Sequence, residues 1–281
     1  MRRRQFLAAA AGSAAASITP PLSLTTQADP WAADGVGSLA RFGVLTPDFD
    51  PVPESELWAM VPPGVSIHSS RVARDTRSSP ARFVEPPGID EAVDRLVAVA
   101  PRAILLGYTS SSYALGAEAD ARARARLEER AKGIPVIFPC PAAMRALRER
   151  EVRRISVVHP PWWTETADEQ GSVYWRAAGF DVVHCGRLEP TRAAFAEVAP
   201  REVFEFVSAR TPREAQAVFI GGNGMRAVGT IKRLEARLRK PVLSANQILL
   251  WEALRSVGQT DRVTNYGSIF AGRKRSGGSD L

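Results

Sequence analysis

The chain has 281 residues, of which 45% are hydrophobic and 24% charged, the composition of an ordinary soluble globular protein with room for two domains. The formal charge of +7 does not indicate a nucleic-acid-binding protein, because the basic residues alternate with acidic ones along helix faces such as 122–130 and 232–240. Beyond the N-terminal segment no stretch is apolar over the length needed to span a bilayer, so stable membrane insertion is also excluded.

The first thirty residues form a segment of their own. They begin with basic residues, continue with an Ala-rich stretch and end in polar residues, an order typical of an export signal. The run RRQFL, from Arg3 to Leu7, resembles a twin-arginine signal, whose passengers cross the membrane already folded. We therefore predict that residues 1–30 direct export to the periplasm or out of the cell. The alternative is a disordered extension on a cytoplasmic protein.

From residue 41 onward, short β-branched runs alternate with amphipathic helical segments, the pattern of parallel strands joined by crossover helices. The first half contains four such runs, namely RFGVLTP (41–47), GVSIHSSRV (64–72), AILLGYT (103–109) and IPVIFP (134–139). We predict that residues 41–151 form a first α/β lobe.

The second half repeats the pattern with four further runs, RRISVVHPP (153–161), FDVVHCG (180–186), QAVFIGGNG (216–224) and KPVLSANQ (240–247). We predict a second α/β lobe over residues 152–240, with residues 241–262 packing back onto the first lobe and residues 263–281 forming a tail. The predicted fold is α/β, with two pseudo-symmetric Rossmann-like lobes that each carry a roughly four-stranded parallel sheet. Ligands of such sheets bind beyond the carboxyl ends of the strands, which places the site in the cleft between the lobes.

Neutral hydrogen-bond donors are concentrated at these strand ends. The clusters YTSSSY (108–113) and GGNG (221–224) each follow an apolar strand and precede a helix, so their N–H groups and hydroxyls can converge on an anion. A carboxylate fits better than a nucleotide, because there is no phosphate-binding loop and GGNGMRAVG lacks the spacing of a dinucleotide fingerprint. We predict a small carboxylic acid as ligand and no cofactor. Taken singly, each cluster is better explained by ordinary turn and helix-cap chemistry.

Cys140 and Cys185 are the two cysteines, and neither belongs to a CxxC motif or to a cluster with histidine. The number of ligands therefore excludes a structural zinc site. We predict two buried free thiols.

Four segments together are similar to a known family. RFGVLTPDFDPVPESELWAM with VSIHSSRV resembles the opening of maleate isomerases, GYTSSSYALG resembles the dioxyanion loop of arylmalonate decarboxylase, and VLSANQILLWEALR resembles the final strand and helix of both. The matches are colinear over roughly residues 41–258. The chain thus resembles the maleate isomerase and arylmalonate decarboxylase branch of the aspartate/glutamate racemase superfamily.

The resemblance implies that two lobes clasp a small carboxylic acid, while opposed cysteines move protons or attack an alkene carbon. Thr109 and Ser110 match the loop hydroxyls that bind the carboxylate, and Asp50 falls where maleate isomerases have Asn. The resemblance therefore predicts an anion-binding cradle made of Thr109, Ser110, Ser111, Gly222, Asn223 and Gly224, with Asp50 nearby.

The sequence departs from the family at the positions that carry the chemistry. Tyr108 stands at the first-lobe cysteine position, Gly222 at the second-lobe position, and Pro161 or Trp162 in place of the Tyr after the fifth strand. Racemisation by two opposed thiols is thus ruled out by residue identity, and a covalent cysteine adduct is unsupported. We predict that the acid/base is Tyr108, His159 or Cys140, in that order of preference.

The resemblance and the strand ends favour a cofactor-independent enzyme, an isomerase or decarboxylase acting next to the carboxylate of a small organic acid. Decarboxylation tolerates the missing cysteines best, because its product needs one proton donor whereas racemisation needs two. The alternative is a catalytically retired carboxylate-binding protein of the same fold. Homo-oligomerisation is left open.

Overall fold

The computed structural model describes residues 35–75, 78–189, 197–260 and 263–271, and these residues belong to one compact unit. The predicted signal over residues 1–30 lies outside the described residues, as do residues 272–281 of the predicted tail. In the described part, no helix is both long enough and apolar enough to cross a membrane.

The first sheet has four parallel strands in the order β2-β1-β3-β4, with the bounds Ala40–Pro47 (β1), Val65–Val72 (β2), Ala103–Leu106 (β3) and Val136–Ile137 (β4). The helices of this half are α1 (Val52–Met60), α2 (Gly88–Val97), α3 (Thr109–Leu115), α4 (Ala117–Arg130) and α5 (Pro139–Glu149). A short 3-10 helix, Pro80–Val84, precedes α2.

The second sheet is also parallel, in the order β6-β5-β7-β8, with the bounds Arg154–His159 (β5), Asp181–Arg187 (β6), Ala217–Ile220 (β7) and Val242–Ser244 (β8). The helices of this half are α6 (Glu165–Ala177), α7 (Pro200–Arg210), α8 (Ile231–Leu238) and α9 (Ala245–Ser256). A 3-10 helix, Val228–Thr230, leads into α8.

The two sheets repeat one strand order, in which the second strand of each half lies at an edge and the first strand pairs with the third. The central strands β3 and β7 read AILL and AVFI, and every residue in both is buried. Parallel strands need such continuous apolar runs because helices cover both faces of the sheet. The predicted α/β fold with two four-stranded parallel sheets is therefore confirmed.

Several strands end earlier than predicted, because the polar residues that follow them start helices. Strand β3 stops at Leu106 and α3 begins at Thr109, while Ser244 at the end of β8 caps α9 by accepting the N–H of Gln247. Cys140 directly follows the fourth predicted run, 134–139, and it is the second residue of α5, because Pro139 opens that helix.

Helix α9 connects the two halves. It follows the last strand of the second sheet, yet it packs against α1, α5 and β3 of the first half. The largest hydrophobic cluster consequently contains residues of both sheets and of α9, including Val44, Leu105, Val157, Phe219 and Leu249. A second cluster, around Leu45, Ile89 and Leu127, contains residues of α2 and α4 and of the first sheet.

Candidate functional site

The two predicted donor clusters meet. Thr109, the first residue of α3, donates its backbone N–H and its hydroxyl to Oδ1 of Asn223, which follows β7, over 2.8 and 2.6 Å. Both residues are buried. Two donors thus converge on one oxygen, which is the arrangement that binds a carboxylate oxygen, but here the oxygen belongs to a side-chain amide of the protein itself. From here on the cradle means Thr109 and Asn223 alone, which are two of the six residues predicted to form it.

The other predicted cradle residues surround this contact in different ways. Ser111 is buried and donates its hydroxyl to the carbonyl oxygen of Tyr108 over 2.9 Å, so it stabilises the start of α3. Ser110 is half-buried, and Gly222 and Gly224 are buried next to Asn223.

Pro160 fills the space beside Gly222. A Cβ atom built on Gly222 would lie 2.6 Å from Cγ and 2.7 Å from Cδ of Pro160, distances that real Cβ atoms do not show. Gly222 also has a φ of +84°, a left-handed conformation that side chains other than glycine rarely adopt. Position 222, which the resemblance matches to the second-lobe cysteine, is therefore closed to a side chain by both contact and backbone conformation.

Tyr108 does not present a free hydroxyl to the cradle. Its oxygen accepts a hydrogen bond from Nε of Arg74 over 2.9 Å, and its ring lies 4.3 Å from the ring of Phe83, centroid to centroid. The side chain packs against the second hydrophobic cluster, which lies on the first sheet. Tyr108 and Thr109 are adjacent in sequence, yet they contact different parts of the molecule.

His159, at the end of β5, is fully buried and held by a carboxylate. Its Nδ1 lies 2.6 Å from Oδ1 of Asp168 on α6, and Oδ2 of Asp168 accepts from Arg187 of β6 over 2.6 Å. Nε2 of His159 is buried and has no hydrogen-bond partner among the described residues. The ring lies near Gly221, where an added Cβ would be 3.2 Å from its Cδ2.

The charges of His159 and Asp168 follow from burial and from the hydrogen bonds between these groups and Arg187. Burial lowers the pKa of His159 even though Asp168 opposes that effect, so the neutral ring carries its proton on Nδ1 near pH 7. Burial alone raises the pKa of Asp168, but the bonds from His159 and Arg187 outweigh it and the net pKa lies below its ordinary range. The result is a neutral imidazole whose Nε2 lone pair is available as a base.

Cys140 lies in α5, fully buried in the shared core. Burial raises the pKa of its thiol well above the ordinary value, and the nearby Asp120 raises it further. Both Cys140 and Cys185 are free thiols. A buried thiol that stays protonated is a poor nucleophile and a poor base.

Asp50 lies before α1 and is buried. Its Oδ1 accepts the N–H of Val52 over 3.0 Å, which caps the first turn of the helix. Burial raises the pKa of Asp50 to about 6, against the effects of the Val52 N–H and of Arg71.

Two polar residues extend the cradle beyond the residues predicted from sequence. Asn246, at the start of α9, accepts from Nδ2 of Asn223 over 2.7 Å and donates to Oε2 of Glu56 over 2.8 Å. Glu56, on α1, is 8% exposed and also accepts the N–H of Val228 over 2.9 Å. The SANQ run at a strand end gave a sequence signal for Asn246, whereas nothing in ESELWAM distinguishes Glu56 from a solvent-facing helical acid.

The two-sheet α/β fold is shared with proteins of known structure. A cysteine-to-alanine variant of the maleate isomerase from Pseudomonas putida, solved with maleate, has a TM-score of 0.76 and 22% identity over 83% of this chain and 98% of that one. The crystal structure of arylmalonate decarboxylase has a TM-score of 0.69 and 20% identity over 82% of this chain and 99% of that one. Among sequences, the maleate isomerase of Alcaligenes faecalis is 24% identical over 252 residues, or 83% of this chain and 97% of that relative.

The family itself is defined by sequence. The sequence profile described as arylmalonate decarboxylase matches residues 81–270, which is more than half of the chain and includes both donor clusters. The chain belongs to the arylmalonate decarboxylase family.

Proposed function

We propose that this protein is a cofactor-independent isomerase or decarboxylase that acts next to the carboxylate of a small organic acid. The observation that carries the proposal is the convergence of the Thr109 N–H and hydroxyl on a single oxygen, at 2.8 and 2.6 Å. Such a pair of donors stabilises a carboxylate and the enediolate that forms from it. Family membership and the likeness to a maleate-bound maleate isomerase support the same ligand class.

His159 is the acid/base that the geometry supports best among the three predicted candidates. Its Nε2 has a lone pair free to take a proton from the carbon next to the carboxylate, and Asp168 then stabilises the imidazolium that results. In an isomerisation the same Nε2–H returns the proton to carbon. In a decarboxylation, loss of CO2 leaves an enediolate, and His159 serves as donor only in its protonated form, which gives the Nε2–H to carbon and regains a proton from solvent. Tyr108, whose hydroxyl is bonded by Arg74, and Cys140, whose thiol is buried, are less suited to this role.

The proposal is tested by ligand binding followed by turnover. Maleate, malonates, aspartate and hydantoins are screened by thermal shift, because a ligand that binds the native state raises the melting temperature. The ligand found is then incubated in deuterated water and followed by proton NMR, where an enzyme exchanges or converts it.

Thr109→Val removes one cradle hydroxyl with little change in shape. We expect the dissociation constant of the ligand to rise about tenfold, which corresponds to the loss of one hydrogen bond to a charged group. Thr211→Val is the matched control, because the hydroxyl of Thr211 bonds to a carbonyl of α7, outside the cradle. Equal affinities in Thr109→Val and Thr211→Val would exclude the cradle as the carboxylate site.

A second candidate is a carboxylate-binding protein that has lost catalysis. Pro160 closes the space beside Gly222, and neither cysteine of the chain stands at a family position. A Nocardia farcinica maleate cis-trans isomerase variant carries a succinylcysteine intermediate, which this chain has no matching thiol to form. Binding without any exchange or conversion in deuterated water would favour this candidate.

We also propose that residues 1–30 export the protein, on the basis of the RRQFL run. Fractionation of cells that express the full chain tests this, and retention of the whole chain in the cytoplasm would contradict it. The oligomeric state, which the sequence leaves open, is decided by light scattering of the purified protein.

A further inference from the structure

Helix α6 meets the ring of His159 at a glycine. A Cβ atom built on Gly171 would lie 2.9 Å from Cε1 of His159 and 2.8 Å from Cε2 of Tyr113, closer than real Cβ atoms approach other groups. Gly171 is buried in the middle of α6, where a glycine is less stable than an alanine. Its φ is not positive, so its backbone conformation does not require glycine. The space beside the two rings does.

Gly171 shares one face of α6 with Asp168, which precedes it by three residues. Oδ1 of Asp168 lies 2.6 Å from Nδ1 of His159, and Gly171 faces Cε1, the next atom of the same ring. The aspartate side chain is short, so it reaches Nδ1 only while the backbone of α6 stays close to the imidazole. The missing side chain at Gly171 permits this approach.

The ring of His159 is the group that would yield to a side chain at Gly171. The Tyr113 ring is held in place, because its hydroxyl accepts the Nε1–H of Trp175, one turn further along α6, over 2.8 Å. The imidazole has no such support on its far edge, where Cδ2 faces Gly221, another residue without a side chain. A larger residue in place of Gly171 would therefore push the imidazole away from α6.

We propose that Gly171 is a positioning residue for His159. By contributing no side chain it keeps α6 close enough for Asp168 to hold Nδ1, and it thereby fixes the place of Nε2. Within the part of the chain that the structure describes, Nε2 has no hydrogen-bond partner of its own, so the contacts of the other ring atoms decide where it lies. The inference rests on the proposed function only for the use of Nε2 as acid/base.

The spacing is tested by NMR of the ligand-free protein. A buried proton on Nδ1 that is shared with a carboxylate over 2.6 Å should give a resonance far downfield. In Gly171→Ala we expect this resonance to move upfield or to be lost to exchange with water, because the ring moves away from Asp168. Val173→Ala is the matched control, because Val173 lies on the same helix and is 65% exposed. An unchanged Nδ1–H resonance in folded Gly171→Ala would overturn the proposal.

Asp168→Glu tests the same spacing from the other side of the bond, and it does not depend on whether Gly171→Ala folds. With α6 at its native distance the longer acid crowds the imidazole, so we expect the Nδ1–H resonance to shift in this variant as well. A wild-type spectrum in Asp168→Glu would show that the distance between α6 and the ring is not critical, and would refute the proposal.

The double variant, Gly171→Ala with Asp168→Glu, separates positioning from ordinary packing. The longer side chain matches the longer distance, so we expect the Nδ1–H resonance to return toward its wild-type position. A packing defect unrelated to the bond is not rescued in this way. If the double variant shows the sum of the two single effects, the two positions act independently and the proposal fails.

The consequence for catalysis is measured with maleate in deuterated water. We expect Gly171→Ala to bind maleate with the wild-type dissociation constant, because Thr109 and Asn223 are unchanged, but to exchange or convert it about 10- to 100-fold more slowly, because the acid/base is misplaced. Val173→Ala should keep the wild-type rate. A wild-type rate in Gly171→Ala, with its Nδ1–H resonance shifted, would refute the link to catalysis.

The two arms fail separately. If the wild type neither binds nor converts maleate or the other acids screened, while the Nδ1–H resonance responds to Gly171→Ala as expected, the result counts against the proposed function. The positioning of His159 by Gly171 then stands as a property of the fold.

Discussion

Pro160 and Gly222 show how one contact decides the chemistry that a strand end can support. The ring atoms of Pro160 occupy the volume that a side chain at position 222 would need, and the backbone there is left-handed. A thiol cannot simply be restored at this position by substitution. The cradle of Thr109 and Asn223 lies directly beside it, so the donors for an anion remain although the nucleophile has no space.

Gly222→Cys should therefore destabilise the protein and not create a catalytic thiol. We expect the free energy of unfolding to fall by about 1 to 3 kcal/mol, because the new Cβ meets Pro160 and the residue is forced into a left-handed conformation. Urea denaturation measures the loss, and thiol titration shows whether the cysteine is accessible. Gly229→Ala is the control, because an added Cβ there meets nothing within 4 Å. Equal stability of the two variants would contradict the steric account.

At the scale of elements, Asp168 ties three of them together. Its carboxylate on α6 bonds His159 at the end of β5 and Arg187 at the end of β6, which is an edge strand of the second sheet. Cys185 of the same strand donates its thiol to the carbonyl oxygen of Asp168 over 3.3 Å. The orientation of the His159 ring thus depends on how α6 packs against β6.

Asp168→Asn should loosen this junction. The neutral amide leaves Arg187 without its counter-charge, and we expect the free energy of unfolding to fall by about 2 to 4 kcal/mol. Glu169→Gln changes the next residue of α6, which is exposed, and should cost little. Chemical denaturation compares the two variants. If they lose equal stability, the link among α6, β5 and β6 does not depend on the carboxylate.

At the scale of the whole molecule, two buried acids should shape the dependence of stability on pH. The pKa of Glu56 is raised from 4.5 to about 7 and that of Asp50 from 3.8 to about 6, chiefly by burial. Between the ordinary and the raised values the folded protein holds protons that the unfolded chain has released. The free energy of unfolding contributed by each group therefore falls as pH rises through that interval.

We expect this to be visible as a difference between variants. From pH 5 to pH 8 the wild type should lose on the order of 3 kcal/mol more stability than Glu56→Gln, and a further part of the decline should disappear in Asp50→Asn. Denaturant titrations at a series of pH values measure the slopes. His159 contributes the opposite sign, because its pKa is lowered and its stabilisation is lost as pH falls through 6.5. If the free energy of unfolding changes with pH in the same way in the wild type and in Glu56→Gln, the pKa of Glu56 is not raised in the folded protein.

Most of the fold could be predicted from the sequence. Apolar runs such as AILL and AVFI, separated by amphipathic segments, dictate parallel strands covered by helices, and the same order of elements occurs twice. Convergence of the donor clusters could be predicted as well, because each cluster follows the carboxyl end of a strand in its own sheet, and the resemblance places the ligand between the two lobes. Thr109 and Asn223 were found in this way.

The rest was decided by tertiary structure. In α1 the acid Glu56 is 8% exposed while Trp58 is 45% exposed, the reverse of what their polarity suggests, because Asn246 and Val228 from distant segments supply partners for the carboxylate. Likewise, the sequence by itself determined that neither position matched to a family cysteine holds a thiol. Only the packing of Pro160 against Gly222 decided that no side chain fits at position 222, beside Asn223. Hydrogen-bond partners and close contacts between residues far apart in the chain leave no local pattern in the sequence. For this reason the sequence predicts Thr109 and Asn223 as site residues, but it does not show that the Asn223 oxygen itself accepts from Thr109.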